Sequence, residues 1–402
     1  MVVSSGCWLQ LGSSGGHTYD NPVETTLTPA TVTGLHQVWS VTASGSASEP
    51  LVSQGRVFFS WTNAVATGVE SLNLADGSTR WDKSLLGGVA GPNAVVLGTP
   101  VAFAGGQLLG GHLGYVPVTR VGPACILGPD VLDPATGAGG GGGSATGDFP
   151  SSAASANGIV ARSLLQLGSG CSLPSSFTLD VSVSPPAGPA GQWRATINDS
   201  FVGGTLLPAV TGNLVVLSHG VTVDGFAAAG CGAATCPPIW STTFPDPVSP
   251  PMAGATGPVY VRTDASLLAL DRTTGTELWR APLATAGYDM ALADGTVYVA
   301  TVSPTDPPVL VALDAAGCGA ATCTPRWTAA LPGTGVSSLA VGGDVVYTST
   351  DVGVQAFASA GCGATTCPPL TTVALPGPGQ LAVAQGHVVL ASGPTVTALG
   401  LG

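Results

Sequence analysis

One heptapeptide occurs three times in the second half of the chain with almost no change. The copies are Gly230–Cys236, Gly317–Cys323 and Gly361–Cys367, each with cysteine at its second and seventh positions. The first cysteines are 87 and 44 residues apart, which indicates a period of about 44 residues with one copy skipped. Each copy follows a short apolar run and precedes a second strand-like run. Repeats of this length built from short strands are typical of β-propellers.

The skipped position holds the same unit with an ordinary turn in place of the cysteine pair. Ser266–Asp271 is the apolar run before the turn, and Glu277–Arg280 is the run after it. Asp271, Asp314 and Asp76 occupy the same place in their units. An Asp side chain accepts hydrogen bonds from backbone amides two residues further on, so we expect these residues to cap turns rather than to bind ligands.

The charge of the chain excludes one class of partner. Charged residues make up only 8% of the 402 residues, the net charge is −12, and Lys83 is the single lysine. The ten basic residues do not cluster, whereas a nucleic-acid-binding surface needs a basic patch or stripe. Mean hydropathy is high, but glycine and proline interrupt every apolar stretch before it reaches about 18 residues. We therefore predict no nucleic-acid partner and no transmembrane span.

The units suggest an all-β chain with one main domain. Residues 1–34 resemble an irregular leader, and residues 35–402 are predicted to form a single β-propeller. Residues 201–377 contain regular blades, whereas residues about 87–199 contain divergent blades with long insertions.

The end of the chain predicts how the ring closes. Pro378–Gly402 is only half a unit, while His36–Thr42 is a strand without a unit. The economical solution is that residues 35–43 complete the last blade, which removes open sheet edges. We predict eight four-stranded antiparallel blades, with seven as the alternative if the divergent region forms only one.

Six tryptophans follow the repeat, each in the strand after the turn. A large flat side chain that recurs once per blade suits packing between adjacent sheets. We therefore predict blade packing, rather than a binding stripe, for Trp39, Trp81, Trp193, Trp240, Trp279 and Trp327.

The paired cysteines predict short disulfides. A zinc site would need four thiolates to converge, yet the pairs belong to different repeats and no histidine-rich segment accompanies them. Each pair instead closes the tip of a strand–turn–strand hairpin. We predict Cys231–Cys236, Cys318–Cys323 and Cys362–Cys367 as disulfides. Bridges of this kind indicate an oxidising, extracytoplasmic location, either secreted or attached to the cell surface.

Three cysteines remain. Cys125 and Cys171 are paired by elimination alone, as a fourth disulfide. Cys7 follows a small residue, in a faint likeness to a bacterial lipoprotein signal, but Ser4 stands where that signal usually has leucine. A lipid anchor on Cys7, a free thiol and an intermolecular link are the three alternatives.

The regular units resemble a known group of propellers. Val259–Trp279 contains Leu-Asp-x-x-Thr-Gly-x-x-x-Trp, the core of the pyrroloquinoline-quinone-like repeat, and the leader from Trp8 to Trp39 is similar to the N-terminal stretch of the same superfamily. The resemblance implies an eight-bladed propeller of four-stranded antiparallel sheets. It also implies one of two classes: quinone- and Ca²⁺-dependent dehydrogenases that bind their cofactor in the central funnel, or cofactor-free propellers that are secreted or lipid-anchored.

The residues favour the cofactor-free class. The chain lacks the adjacent cysteines that resembled dehydrogenases often carry, and it has only four glutamates to contribute to a Ca²⁺ site. We expect no catalytic, cofactor-binding or metal-binding residues, and a non-catalytic binding or scaffolding module for an unknown protein or surface polymer. The alternatives are a pyrroloquinoline-quinone/Ca²⁺-dependent dehydrogenase and a self-assembling surface or fibre subunit.

Overall fold

The apolar runs between the glycines and prolines of this chain form β-strands. The structure is a computed structural model, and it describes residues 6–86, 95–98, 102–104, 107–116, 124–139, 148–166, 177–183, 192–197, 206–283, 286–303 and 306–401. Apart from the short 3-10 helix Val32–Gly34, all regular structure in these residues is β. The all-β fold class predicted from the sequence is confirmed.

The leader and the first half of the chain contain fifteen strands in the described residues. They are β1 Asp20–Asn21, β2 His36–Thr42, β3 Ser46–Ala47, β4 Leu51–Ser53, β5 Arg56–Thr62, β6 Thr67–Asn73, β7 Thr79–Leu86, β8 Val95–Gly98, β9 Ala102–Ala104, β10 Gln107–Val116, β11 Ala124–Leu132, β12 Asp148–Ala156, β13 Ile159–Gln166, β14 Phe177–Val183 and β15 Trp193–Ile197.

The second half of the chain contains nineteen strands within the described ranges. They are β16 Ala209–Thr211, β17 Leu214–His219, β18 Thr222–Ala227, β19 Trp240–Thr243, β20 Met252–Ala253, β21 Val259–Arg262, β22 Ser266–Leu270, β23 Glu277–Pro282, β24 Ala286–Ala293, β25 Thr296–Thr301, β26 Val309–Asp314, β27 Trp327–Ala330, β28 Val336–Gly342, β29 Val345–Thr350, β30 Gly353–Ala358, β31 Thr371–Val373, β32 Gln380–Ala384, β33 His387–Ser392 and β34 Thr395–Gly400.

These strands form eight sheets, which we number in chain order. Sheet I contains β3 to β7, sheet II β8 to β11, sheet III β12 to β15, sheet IV β16 to β19, sheet V β20 to β23, sheet VI β24 to β27, sheet VII β28 to β31 and sheet VIII β32 to β34 with β2. All pairing within these sheets is antiparallel, between consecutive strands except that β3 and β4 both pair with β5, that β8 and β9 both pair with β10 and that β2 pairs with β34. Strand β1 adds to β28 in parallel. Residues outside the described set interrupt sheets II and III, so the number of blades in the complete ring stays a prediction.

The sheets surround a common centre. The inner strands β12, β16, β20, β24, β28 and β32 contact one another in that order, and β32 then contacts β4 of sheet I. Sheet I continues to sheet II through β5 and β8, and sheet II reaches β12 through β9. The inner strands therefore form a closed ring, as in a β-propeller.

The N-terminal strand completes the last sheet. Strand β2 pairs antiparallel with β34, with Ser40 opposite Thr397, and their hydroxyl oxygens are 3.0 Å apart. The Ala43 amide also donates to the Pro394 carbonyl at 2.8 Å. This is the closing strand that the sequence predicts for residues 35–43.

Each of the six tryptophans packs against a glycine in the next sheet. A Cβ added to Gly230 would lie 2.7 Å from Cδ1 of Trp193, and one added to Gly77 would lie 2.8 Å from Cδ2 of Trp39. Both glycines have positive φ, so a larger residue is excluded by contact and by backbone conformation together. The other four contacts are Trp81 with Gly137, Trp240 with Gly275, Trp279 with Gly317 and Trp327 with Gly361.

Candidate functional site

The leader crosses the centre of the ring rather than lying outside it. Trp8 exchanges two backbone hydrogen bonds with Val52 of β4, each 2.8 Å long. Further along, carbonyl oxygens of the leader accept amide hydrogen bonds from four more inner strands. These bonds are Val210 to Gly15, Ala253 to Gly16, Leu292 to Thr18 and Val341 to Tyr19, and they are between 2.6 and 2.8 Å long.

The leader then leaves along the end of the ring where the inner strands finish. The Asn21 amide nitrogen donates to the Val383 carbonyl of β32 at 2.8 Å. The Glu24 carboxylate accepts from the amide of Gly386, in the turn after β32, at 2.9 Å. Leu27 is fully buried as part of the main core. The leader therefore forms a floor across this end of the central channel.

A pocket of about 230 Å³ lies above that floor. Leu207 precedes the inner strand β16, and Pro250 and Pro251 precede β20, so the pocket lies between the leader and the end of the ring where these inner strands begin. Its polar lining consists of His17 and Tyr19 from the leader and Asp289 from β24. Its apolar lining consists of Leu11, Leu207, Pro250, Pro251, Met252 and Met290.

Asp289 is the acidic group of the pocket. Burial raises the pKa of its carboxyl to about 7, and the positive charge of Arg262 acts in the opposite direction. Its Oδ2 atom is buried, and no described residue forms a hydrogen bond with it. A buried carboxylate oxygen without a partner is costly, so this atom favours a bound donor or proton.

Glu49 anchors the leader beside the pocket. Its Oε1 accepts hydrogen bonds from the Trp8 indole N–H and the Gly12 amide, each at 2.9 Å. The side chain is 3% exposed, and burial raises the pKa of its carboxyl to about 8 despite both bonds. The Asp289 charge raises the same pKa further, so the two carboxyl groups share one low-dielectric region.

His17 and Tyr19 complete the polar lining. The two ring nitrogens of His17 lie 2.9 Å from the carbonyl oxygens of Leu11 and Pro208, which ties the leader to the segment before β16. Burial lowers the pKa of His17. Burial, Glu49 and Asp289 raise the pKa of Tyr19 well above its usual value, so its hydroxyl stays protonated at neutral pH.

A second pocket, of about 260 Å³, lies at the floor end of the channel. Asp20, Asp294 and Asp344 line it together with Glu24. Burial raises the pKa of Asp20 to about 7, and the charges of Asp294 and Asp344 add to the effect. The Glu24 carboxylate is already bonded to backbone amides. Among the described residues, no group of three or more histidine, cysteine, aspartate or glutamate side chains is arranged to hold a metal ion.

The predicted disulfides lie far from this central pocket, at the tips of the third and fourth strands of their sheets. Cys231–Cys236, Cys318–Cys323 and Cys362–Cys367 are each joined, as the sequence predicts. The first cysteine of each pair is exposed and the second is buried. The predicted Cys125–Cys171 pair falls outside the described residues, because Cys171 is not among them and nothing is described of the Cys125 side chain.

Each stapled turn also reaches the sheet before it. In sheet IV, the Cys236 amide donates to the Arg194 carbonyl at 2.9 Å, and the Arg194 amide donates to the Ala234 carbonyl at 2.8 Å. Sheets VI and VII repeat this two-bond bridge with Arg280 and Thr328 as the partners. The staples therefore hold a turn that adds a short parallel bridge between neighbouring sheets.

Cys7 lies in the floor of the ring, half-buried, where no disulfide joins it to another described cysteine. Its Sγ is 3.6 Å from the Ser53 hydroxyl and 3.7 Å from the Gln385 side-chain nitrogen. The described part of the chain contains no helix that is long and apolar enough to cross a membrane.

The sequence did not identify the residues of the central pocket. In the sequence, His17 is one of five scattered histidines, Glu49 is one of four glutamates and Asp289 is one acid in an apolar run. One signal was available: in a chain with 8% charged residues, an acid next to a buried strand, as in Glu49 and Asp289, is unusual.

The repeats match a family model. Residues 180–280 and 263–363 both match the family described as outer membrane protein assembly factor BamB. Two overlapping matches are expected of tandem repeats. No protein with a curated description matches the sequence.

Solved structures with a similar fold cover almost the whole chain. A quinohemoprotein alcohol dehydrogenase from Pseudomonas putida HK5 has 12% identity and a TM-score of 0.66, over 99% of this chain and 81% of the other. A europium-containing methanol dehydrogenase has 11% identity and the same TM-score, over 99% and 98%. Sqt1 from Saccharomyces cerevisiae has 12% identity and a TM-score of 0.54, over 91% and 98%. Likeness at these identities shows the fold and no activity. With the repeat match over residues 180–363, it shows a β-propeller whose repeats are similar to the pyrroloquinoline-quinone-like repeat.

Proposed function

We propose that the chain is an extracytoplasmic β-propeller that serves as a non-catalytic binding or scaffolding module. The observation that carries this proposal is the path of the leader. It crosses the centre of the ring between Trp8 and Asn21 and bonds to the inner strands of six sheets. The leader backbone thus fills part of the central space that a cofactor bound in the funnel would occupy.

The lining of the remaining pocket does not fit a quinone cofactor with Ca²⁺. Pyrroloquinoline quinone carries three carboxylates, which need cationic or hydrogen-bond-donating partners. Among the described residues that line the pocket, none is a lysine or arginine, and Asp289 would repel an anion. Calcium needs six to eight oxygen ligands, whereas this lining offers one carboxylate and one phenol. The lining therefore supports a role without this cofactor.

Two further features support the location and the role. Three short disulfides suit an oxidising compartment outside the cytoplasm. The matched family is described as an outer membrane protein assembly factor, a description that concerns protein assembly rather than chemistry on a small molecule. The stapled turns, which are exposed over most of their length, are the surfaces we propose for a protein or surface-polymer partner.

Titration calorimetry of the full oxidised chain with pyrroloquinoline quinone and Ca²⁺ tests the absence of the cofactor. A quinoprotein dehydrogenase serves as the positive control. We expect no saturable heat and no alcohol-dependent dye reduction. Saturable binding at micromolar or lower concentration that requires Ca²⁺ would overturn the proposal and point to alcohol or sugar oxidation.

Photo-cross-linking in the producing cell tests the binding role itself. A photoreactive residue at Ala320 or Ala364, both exposed in stapled turns, is compared with one at Val65 in the turn between β5 and β6. We expect a discrete cross-linked species from at least one stapled turn, in an extracytoplasmic fraction. A chain found only in the cytoplasm with reduced cysteines would contradict the proposed location.

A further inference from the structure

The central pocket has the size of a small-molecule site. Its volume is about 230 Å³. An engineered protein cavity of about 150 Å³ is large enough to bind benzene, so this pocket has room for one aromatic ring with a short side chain. Most of its wall is formed by leucine and proline side chains from the leader and the segments before β16 and β20, and by the methionines of β20 and β24. The wall therefore suits an apolar body.

The polar groups of the pocket specify what that body should carry. Asp289 lines the pocket with a carboxyl whose Oδ2 is buried and has no hydrogen-bond partner among the described residues. Among the described lining residues, His17 alone has side-chain nitrogens that could donate, and both of its ring nitrogens already lie against backbone carbonyl oxygens. The described lining thus offers Asp289 Oδ2 no N–H donor, and a ligand with N–H donors would supply one.

The surroundings of Asp289 add negative charge. Glu49 lies close enough for the two carboxyl groups to influence each other, and its own Oε2 is buried without a hydrogen-bond partner in the described residues. Arg262 offsets part of this charge without a hydrogen bond to Asp289 Oδ2. The Tyr19 hydroxyl is a second oxygen in the lining that can accept a hydrogen bond.

We propose that this pocket binds a small organic ammonium ion, with the ammonium group on Asp289 and the apolar body against Leu207, Pro251 and Met252. An ammonium group carries three donors and matches a carboxylate and a phenol oxygen. This site is independent of the scaffolding role and concerns a different surface, so either proposal can fail without the other.

The site has a defined pH dependence. The pKa of Asp289 lies at about 7, so the carboxyl becomes protonated as the pH falls below that value and the attraction for a cation is lost. The other groups that face it change this expectation little: burial lowers the pKa of His17, Tyr19 stays protonated and Arg262 stays charged. Glu49, with a pKa of about 8, ionises at higher pH and strengthens cation binding there.

Calorimetric titration of the full oxidised chain with three probes of one shape tests the proposal. The probes are 2-phenylethylamine as the cation, 2-phenylethanol as the neutral analogue and phenylacetate as the anion. A buried charge-assisted hydrogen bond corresponds to a preference of about tenfold or more, so at pH 8 we expect the amine to bind at least that much more tightly than the alcohol. Phenylacetate should not bind.

Asp289→Asn is the decisive variant, and Asp264→Asn is its matched control. Both remove one negative charge, but Asp264 is exposed at the turn between β21 and β22. We expect Asp289→Asn to abolish the preference for the amine and Asp264→Asn to retain it. Equal affinities for amine and alcohol, as expected if water alone occupies the pocket, would overturn the proposal. So would an equal loss in both variants, which would indicate general electrostatics.

Two further measurements keep the test valid if Asp289→Asn does not fold. In the unchanged protein, amine affinity should fall about tenfold between pH 8 and pH 6, while alcohol affinity stays constant. Leu207→Trp, which alters a half-buried segment outside the strands, should block both probes by filling the pocket. Amine binding that is independent of pH, or that persists in Leu207→Trp, would place the ligand elsewhere.

Discussion

Two kinds of turn place a glycine against the tryptophan of the preceding sheet, and they occur in different sheets of this ring. Sheets I, II and V use short turns in which a glycine follows an aspartate or asparagine by four residues, whereas sheets IV, VI and VII use the disulfide-stapled turns. In both kinds, a positive-φ glycine lies against the tryptophan of the preceding sheet. The contact between sheets is therefore common to all six turns, and the turn chemistry is not.

The difference lies in what holds the turn and how far it reaches. In sheet V, Asp271 Oδ1 accepts amide hydrogen bonds from Thr273 and Thr274 at 2.8 and 2.9 Å, and β23 begins soon afterwards. In sheet VI, the chain continues past Gly317 into the stapled loop, which bonds twice to Arg280 of sheet V. The disulfide thus permits a longer turn that bridges neighbouring sheets, and it is not required to seat the glycine.

Removal of a packed tryptophan should have the largest effect and should be the same for both kinds of turn. Trp240→Ala, at an aspartate turn, and Trp193→Ala, at a stapled turn, should each lower the free energy of unfolding by about 3–5 kcal/mol because each leaves a large cavity between sheets and removes one indole hydrogen bond. Both side chains are buried, at 7% and 3% exposure. Denaturant unfolding followed by fluorescence measures the loss. A cost that is more than about 1 kcal/mol smaller at the stapled turn would show that the staple, rather than the tryptophan, holds that interface.

Loss of a disulfide from a stapled turn should lower the free energy of unfolding by less than loss of a tryptophan does. The aspartate turns contain no disulfide, so this effect is specific to the stapled turns. Replacement of Cys318 and Cys323 by serine removes the constraint on a short loop, which is worth about 2 kcal/mol. It should also weaken the two backbone hydrogen bonds between the loop and Arg280. The backbone amide at position 323 should therefore exchange its hydrogen faster. Thermal unfolding and exchange mass spectrometry measure the two effects.

Cys7→Ser is the matched control, because no disulfide involves Cys7 in the described residues. A second variant exchanges the stapled loop of sheet VI for the Asp271–Thr276 turn. In this exchange, the glycine of the grafted turn should take the place of Gly317 against Trp279. The exchange should therefore lower the free energy of unfolding by less than the double serine replacement does. If the exchanged turn unfolds the protein, the two kinds of turn are not interchangeable and the comparison fails.

Much of this architecture could be predicted because it is periodic. Trp39 to Trp327 follow the repeat, the paired cysteines mark the same turn three times, and the half unit after Pro378 needs the strand at His36–Thr42. Each of these features depends on contacts within a unit or between adjacent units. The residues that form such contacts recur in each repeat, so the sequence pattern indicates them.

The central pocket could not be predicted in the same way. Its residues meet through contacts between distant parts of the chain: Glu49 is 41 residues from Trp8, and Pro208 is 191 residues from His17. Each contact occurs once, so the repeat pattern of the sequence does not indicate it. Their positions depend on the leader crossing the closed ring, and local sequence near Trp8 or His17 carries no signal for that path.

The smallest effect should separate the two kinds of turn by charge. Asp271→Asn weakens two amide hydrogen bonds and should lower stability at pH 7 by about 0.5–1 kcal/mol. Asp314→Asn at the stapled turn of sheet VI should cost less, because Asp314 Oδ1 accepts one backbone bond, from Ala316 at 3.0 Å, and the disulfide also holds the loop. Thermal unfolding of the two variants in parallel measures the difference.

The pH dependence of Asp271→Asn gives the sharper measurement. Hydrogen bonds from the side chain and backbone of Thr273 lower the pKa of Asp271 from 3.8 to about 2. A carboxyl with a lowered pKa in the folded state stabilises the fold above its unfolded pKa and loses that contribution as the pH falls towards its folded pKa. The difference in stability between the wild type and Asp271→Asn should thus be constant above about pH 4.5 and shrink between pH 4 and 2. A difference that stays the same down to pH 2 would show that the ionised carboxylate of Asp271 does not stabilise this turn.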